Sequence, residues 1–534
     1  TLALRGFGPG AGTTGTDDTA PVRIESDGDI RFIGGKRISD DGFHTTGRLV
    51  SGADVTLRAD QVYAATATDF TLTVHGDAGK ITILPGGPSQ APLSAGSILT
   101  LTAANIEQLG TLRAPFGQIN LDARETLVLG AGSLTSVSGA GQMVPFGMTE
   151  FGGQDWLYPV ADGHSNVYQA PPEKRVTLTA PQVTLAPGSV VDVTGGGDLL
   201  AREQVPGPGG SNDILNNILP DGTPNNAFAL VPAQNNPFGS YDPFLSKDSP
   251  IEPGDTIHLA AGGPIPAGEY AMLPAGYALL PGAYLVTPLA GTDSPVPGQA
   301  LPQFDGSSIV AGQRGVAGTG SRDSLWSAYR IESGTQVRNR AQYLESRADS
   351  FFAADGRLNR DAGQLVIDAT TATSLLPSQI VLGGTLASNA TGGRGFEVDI
   401  LADSLAVVAQ YTGAGQRVEL LASDLNKLSA DSLLLGATRR HQGADVALDV
   451  RAQDVTVESG AAVAAPEVLL AARDSVTVAD GARMCAGSVP GASAVGSGGV
   501  STALGTPFGL GCSRRNVRRR AAPMRSSVRS PPLR

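Results

Sequence analysis

The sequence predicts an all-β fold: a parallel β-helix, or β-solenoid, interrupted by a long irregular insertion with one helix. Three observations predict it. Short segments with alternating apolar residues recur about every 20 residues. Glycine is abundant, at 70 of 534 residues, while aromatics make up 5 %, so the core must be aliphatic and thin. Between residues 197 and 345 the repeats give way to a Pro- and Asn-rich stretch.

The repeats justify the coils. INLDARETLVLGAGSLTSVSG (119–139) superimposes on VTLTAPQVTLAPGSVVDVTG (176–195) with a gap of one residue. Ile119 and Leu121 match Val176 and Leu178; Leu127 and Leu129 match Val183 and Leu185; Gly132-Ser133-Leu134 matches Gly188-Ser189-Val190. Asp454-Val455-Thr456-Val457 recurs as Ser475-Val476-Thr477-Val478, and Val398–Ala402 recurs as Val418–Ala422. Period-2 alternation turns one face inward. Stacked units would pair each strand with its counterpart above and below. A sandwich or barrel would need Asn-Gly hairpin turns between neighbouring strands, and these are rare.

The expected organisation is coils over 1–196, an insertion over 197–355, coils over 356–480 and a basic tail over 481–534. The insertion is expected to break the rod, carrying short strands and a helix near 335–352. Val337, Ala341, Leu344, Ala348 and Phe351 recur there at three- and four-residue steps. PAGEYAMLPAGYALLPGAYLV (266–286) opens a charge-free run of 23 residues, Tyr270 to Thr292. That length could cross a bilayer. Pro274, Pro281 and Pro288 exclude such a helix, each costing about 3 kcal/mol in a helix interior. The stretch reads instead as turns between strands at Tyr277–Leu280 and Tyr284–Val286.

The net charge is −12, yet residues 481–534 carry nine Arg and no acid, so residues 1–480 stand at −12 − 9 = −21. An acidic body disfavours nucleic-acid binding. The 33 Arg against 5 Lys read as GC-rich coding rather than binding chemistry. The arginine-rich tail, which holds both Cys485 and Cys512, reads as out-of-frame or disordered. No disulfide framework is expected, and the cysteine-free body suits export in an unfolded state. The chain starts TLALRGFGPG, which reads as a fragment of a longer protein without a signal peptide.

No motif points to a catalytic, cofactor or metal site. Gly10, Gly12 and Gly15 match G-x-G-x-x-G, but TDDTAPVRI after them does not open a helix. Gly209-Gly210-Ser211 is no nucleophile elbow. His44, His75, His164, His258 and His441 lack metal-ligand spacing and read as solvated or strand-edge. Glycoside hydrolysis needs two opposed carboxylates. Asp27 and Asp29 read as a solvated turn, and Asp399, near Asp403, as an outward acid that keeps the surface soluble.

GTLRAPFGQINLDA (110–123), LTSVSGAGQMVPFG (134–147), VTGGGDLLAREQVPGPGGSND (193–213) and the 266–286 string resemble the filamentous haemagglutinin family, large exoproteins of Gram-negative bacteria. The resemblance spans roughly residues 20 to 480 and falls outside that family's secretion domain. It implies a right-handed parallel β-helix, export by an outer-membrane two-partner transporter, and a place in secretion or at the cell surface. It further implies a structural, non-enzymatic adhesin that binds a glycan or protein on a host or bacterial surface. No transmembrane segment and no cofactor are implied. The alternatives are a carbohydrate-active β-helix enzyme and an autotransporter passenger.

Overall fold

Ile119, Leu121, Leu127 and Leu129 alternate with polar residues along the strand Gln118–Leu129, and all four are fully buried. The computed structural model in which they stand describes residues 2–5, 20–486 and 519–520. It omits 40–41, 162, 208–211, 235, 291–294, 355, 371–376, 391, 414–416 and 443–444. Parallel pairing aligns these side chains with their counterparts on neighbouring strands. One column runs Phe70, Leu99, Ile119, Val176, Leu365, Val398, Leu433 and Val468. A second runs Leu72, Leu101, Leu121, Leu178, Ile367, Ile400, Leu435 and Leu470. Full burial of each aliphatic side chain stabilises by about 1.5–3 kcal/mol. The columns belong to one apolar cluster reaching from Ile30 to Ala482, with Phe32, Phe70 and Phe396 as its buried aromatics. The core is therefore aliphatic, as the composition requires.

The columns stand on parallel sheets. The chain passes back and forth between a 15-stranded sheet and a seven-stranded sheet. The chain runs from Ile98–Gln108 in the larger to Thr111–Arg113 in the smaller, then to Gln118–Leu129 and Leu134–Ser136, advancing one strand per visit. The register expected for 119–139 against 176–195 is observed at each matched position within the strands. Asp454–Val457 likewise pairs with Ser475–Val478. Pairing extends past Asp480, because Arg483–Ala486 lies parallel to Ala462–Ala465. Cys485 on that strand is disulfide-bonded, against expectation. Most of the rest of the tail, and Gly10, Gly12 and Gly15, lie outside the described residues.

One expected repeat is corrected. Val398 pairs with Leu433, while Val418–Leu421 belongs to another sheet beside Leu405–Val408. Both strands turn alternate apolar residues inward, so their sequences look alike without being neighbours. The helix Ala422–Lys427 lengthens the intervening connection.

The insertion does not break the ladders. Arg175–Thr179 pairs in parallel with Gln364–Asp368, and Gln182–Leu185 with Gln379–Leu382. Where the chain leaves and returns, the Gly196 N–H donates to the Asn359 carbonyl at 2.9 Å. Lys174, buried beside that closure, donates to the carbonyls of Asn359 and Asp361.

The insertion is irregular only in part: 205–227 and 231–254 hold no named strand or helix among the described residues, while the rest is ordered. Its nine-stranded sheet is antiparallel and runs from Gly268–Ala271 through Asp255–Leu259, Ser308–Val316, Ser327–Ser333, Tyr284–Pro288 and Phe228–Leu230 to Leu273–Pro274. The first and last strands of that path are separated only by Met272, so the two sheet edges meet in a nearly closed, barrel-like arrangement. Phe228, Leu230, Ile257, Leu259, Val286, Val310, Tyr329 and Ile331 fill it. Some of its pairings are local, such as Val316 with Ser321 and Leu259 with Gly268, and others join distant segments, such as Phe228 with Val286; none is closed by an Asn-Gly turn.

Within the charge-free run, Tyr284–Pro288 is a strand as expected. Tyr277–Leu280 is not: Ala275–Leu279 forms a 3-10 turn, and every residue in it is buried. Pro274 opens the turn at φ −49 and supplies no N–H to a ladder. Among the described residues no helix is long and apolar enough to cross a membrane.

The helix expected over 335–352 is three elements. Gly334–Arg340 is helical, started by a capping box between Ser333 and Gln336. Tyr343–Arg347 is a strand antiparallel to Asp198–Gln204, and Ala348–Phe351 is one helical turn. The free edge of Asp198–Gln204 overrides helix periodicity there. Val337, Ala341 and Ala348 are buried as the period requires, while Leu344 faces outward.

Candidate functional site

A second apolar cluster joins the insertion to the strands that precede it. Phe116, Phe146 and Trp156, which precede the insertion, pack with Ala229, Tyr277 and Leu285 inside it. A polar seam runs alongside. Arg31 Nη1 donates to the Gly239 carbonyl at 2.9 Å, and its guanidinium lies over the Tyr241 ring. Asp29 accepts from Gln61 and Asn236, and burial raises its carboxyl above the ordinary range. Asp27 is exposed as expected, whereas Asp29 is not a solvated acid. Asp242 is fully buried; its Oδ1 accepts from the Tyr158 hydroxyl and two backbone N–H groups. Its Oδ2 has no partner, and burial pushes the carboxyl up to about 6.

Asp399 is corrected in the same sense: its side chain is 0 % exposed. The hairpin Ala437–Gln442 with Asp445–Val450 lies against the strand Glu397–Leu401 that carries it. Arg439 Nε donates to Oδ1 at 2.8 Å; the Arg439 N–H and Gln364 Nε2 each donate to Oδ2 at 2.7 Å. Burial raises the carboxyl to about 6 against the pull of Arg439. Nearby, His441 Nε2 meets Glu397 at 2.8 Å, so this histidine is neither free nor solvated. A crevice beside this network holds about 40 Å³. It gathers Glu173 and Asp361, paired with Arg175 and Arg394, and Glu397, which meets the His441 ring. Ligand pockets run to roughly 300–1,000 Å³, so this crevice admits water and no sugar ring.

Larger space flanks Phe351. Here a five-stranded sheet runs His164–Tyr168, Asp155–Ala161, Met143–Glu150, Asp198–Gln204 and Tyr343–Arg347. On one side of Phe351 an open groove of about 480 Å³ is lined by Leu200, Leu279, Ser346, Arg347 and Ser350. Arg338 closes one part of it, held by Glu345 and the Leu279 carbonyl. On the other side a groove of about 430 Å³ is lined by Gln154, Asp155, Trp156, Tyr168, Gln169 and Phe351. Trp156 packs against Phe351 edge-on and against Phe352, both at 5.3 Å. Tyr168 meets Phe146 at 5.1 Å, and burial pushes its phenol up to about 12.

The turn before this groove is rigid. Phe151, Gly152 and Gly153 have φ of 57, 72 and 78, so Phe151 takes a left-handed conformation that bulky residues avoid. The N–H groups of Gly152 and Gly153 grip the two carboxylate oxygens of Glu203, both at 2.9 Å. Phe151 is 70 % exposed at the tip. Chemically the groove offers aromatic surface, amides and one carboxylate, a set suited to binding.

None of the motif residues weighed in the sequence lines either groove. Gly209-Gly210-Ser211 falls outside the described residues. Among the described residues no group of three His, Cys, Asp or Glu could hold a metal. The groove residues escaped sequence reasoning because 150–169 carries no motif; the hairpin alternation of Trp156, Tyr158 and Val160 was the available cue. No family model, no curated protein and no solved structure matches the chain.

Proposed function

We propose that the chain is a segment of a secreted or cell-surface adhesin of the filamentous haemagglutinin type from a Gram-negative bacterium. On this reading the parallel ladders are coils of a right-handed β-helix that acts as a stiff shaft. The insertion is the contact surface it carries, and export uses an outer-membrane two-partner transporter. The shaft serves attachment and performs no chemistry. One observation carries the reading: the ladder resumes in register across the insertion, Arg175 pairing with Gln364. A chain that keeps its stack while extruding a separately cored antiparallel domain is built to display that domain. Weak single contacts along a fibre then add by multivalency.

Deleting 198–357 and joining Gly197 to Leu358 tests it, since Gly196 and Asn359 already touch. Expected is loss of adhesion to host or bacterial cells, with the β-sheet circular dichroism of the shaft retained. Unchanged adhesion contradicts the proposal.

A further inference from the structure

We propose that the groove between Asp155, Tyr168, Gln169 and Phe351 binds a neutral saccharide. The proposal deepens the adhesin reading and rests on it for its biological role. Its chemistry rests on the groove itself.

The volume, about 430 Å³, is of ligand size. Phe351 is half-buried and is fixed from behind by Trp156 and by Phe352, the latter at 4.8 Å. Such a ring offers a platform for the apolar C–H face of a pyranose. Around it stand polar groups with nothing else to bind. Asp155, Gln154 and Gln169 are exposed, and their side chains have no hydrogen-bond or ion-pair partner among the described residues. The carboxylate can accept from two vicinal hydroxyls, and each amide can both donate and accept. The Tyr168 hydroxyl also lacks a partner among the described residues, and its raised pKa keeps it a donor at physiological pH. Trp156 Nε1–H is buried without an acceptor.

The charge balance selects the class. The lining holds one carboxylate and no cation, which repels carboxylated or sulfated sugars. Its single acid cannot form the opposed pair that glycoside hydrolysis uses. The Glu203 clamp on Gly152 and Gly153 holds the backbone beside Gln154, so the ordering that opposes binding is that of the side chains.

The test uses the full chain with Trp326→Phe, which leaves Trp156 as the remaining tryptophan of two. Probes are neutral glucose-, galactose- and N-acetylhexosamine-terminated oligosaccharides and their sialylated counterparts, first arrayed and then titrated against tryptophan emission. Expected is saturable binding of a neutral probe, weaker binding of its sialylated form, and about tenfold loss in Asp155→Ala and in Gln169→Ala. Both substitutions are at exposed positions, and circular dichroism checks their fold. No saturable binding of any neutral probe overturns the proposal. So does a preference for sialylated probes, or binding that both variants retain. Adhesion separates the two readings. A chain that adheres yet binds no saccharide removes the groove and leaves the adhesin. One that binds saccharide while the deletion of 198–357, which also removes Phe351, leaves adhesion intact keeps the site and removes the insertion as the contact surface.

Discussion

Replacing Arg439 by Leu should expose how the hairpin over Glu397–Leu401 is held. The guanidinium sits 4 % exposed against an Asp399 side chain that is 0 % exposed. Arg439→Leu removes the Nε donor to Asp399 Oδ1 and the Nη1 donor to Ser432. Oδ2 keeps Gln364 and the backbone N–H, but Oδ1 is left bare. Breaking a buried pair from one side costs about 3–5 kcal/mol, whereas an exposed pair contributes about 0–1 kcal/mol. Urea unfolding at pH 7.5 should therefore show a loss of about 3–5 kcal/mol. Arg439→Leu with Asp399→Leu should recover most of it, because no buried charge then remains. The defect should also shrink toward pH 5. Asp399 already titrates at about 6 because of burial, and losing the cation raises it further. Once the carboxyl is neutral in both proteins it no longer needs the arginine. A loss below about 1 kcal/mol, or a defect independent of pH, would refute the docked hairpin.

Other outcomes follow from the same geometry. Leu178→Ala, in the middle of a column, should cost about 2–5 kcal/mol by urea midpoint, while Thr177→Ala on the opposite face stays within about 0.5 kcal/mol. Asp242 binds its proton more tightly folded than unfolded, so its contribution to stability is greatest below 3.8 and declines as pH rises to about 6. Asp242→Asn should flatten stability across that window, gaining on the wild type by on the order of 2–3 kcal/mol, read from denaturation at pH 4 and pH 7. Gly153→Ala combines φ of 78 with a Cβ 3.0 Å from Leu344 Cδ2 and should lower the melting temperature, at a cost of about 1–2 kcal/mol.

Much of the parallel core was legible in the sequence, because a period of two fixes which side chains turn inward. Ile119, Leu121, Val176 and Leu178 fell into register on that pattern and the shared Gly-Ser turn. Alternation alone says nothing of which strand lies next door, so Val398 and Val418 looked like one repeat and are not. It names a face without naming what covers that face. Asp399 sits on the face opposite the core and is buried all the same, under a hairpin whose own pattern gave no hint of its target. Tertiary context decided the middle region. An open strand edge took Tyr343–Arg347 out of a helix, and Pro274 with all-round burial turned Ala275–Leu279 into a 3-10 turn. The groove beside Phe351 was not legible, since its residues come from the Asp155–Tyr168 hairpin and from a helical turn nearly 200 positions later.

Strands before the insertion lie directly against strands after it. Nitroxide labels on Thr184→Cys and Val381→Cys test this, at partly exposed positions paired in parallel. Adjacent strands lie roughly 4.8 Å apart, so the spectrum should show strong dipolar broadening, lost on unfolding in urea. An unbroadened spectrum from the folded, doubly labelled chain would contradict the continuous ladder.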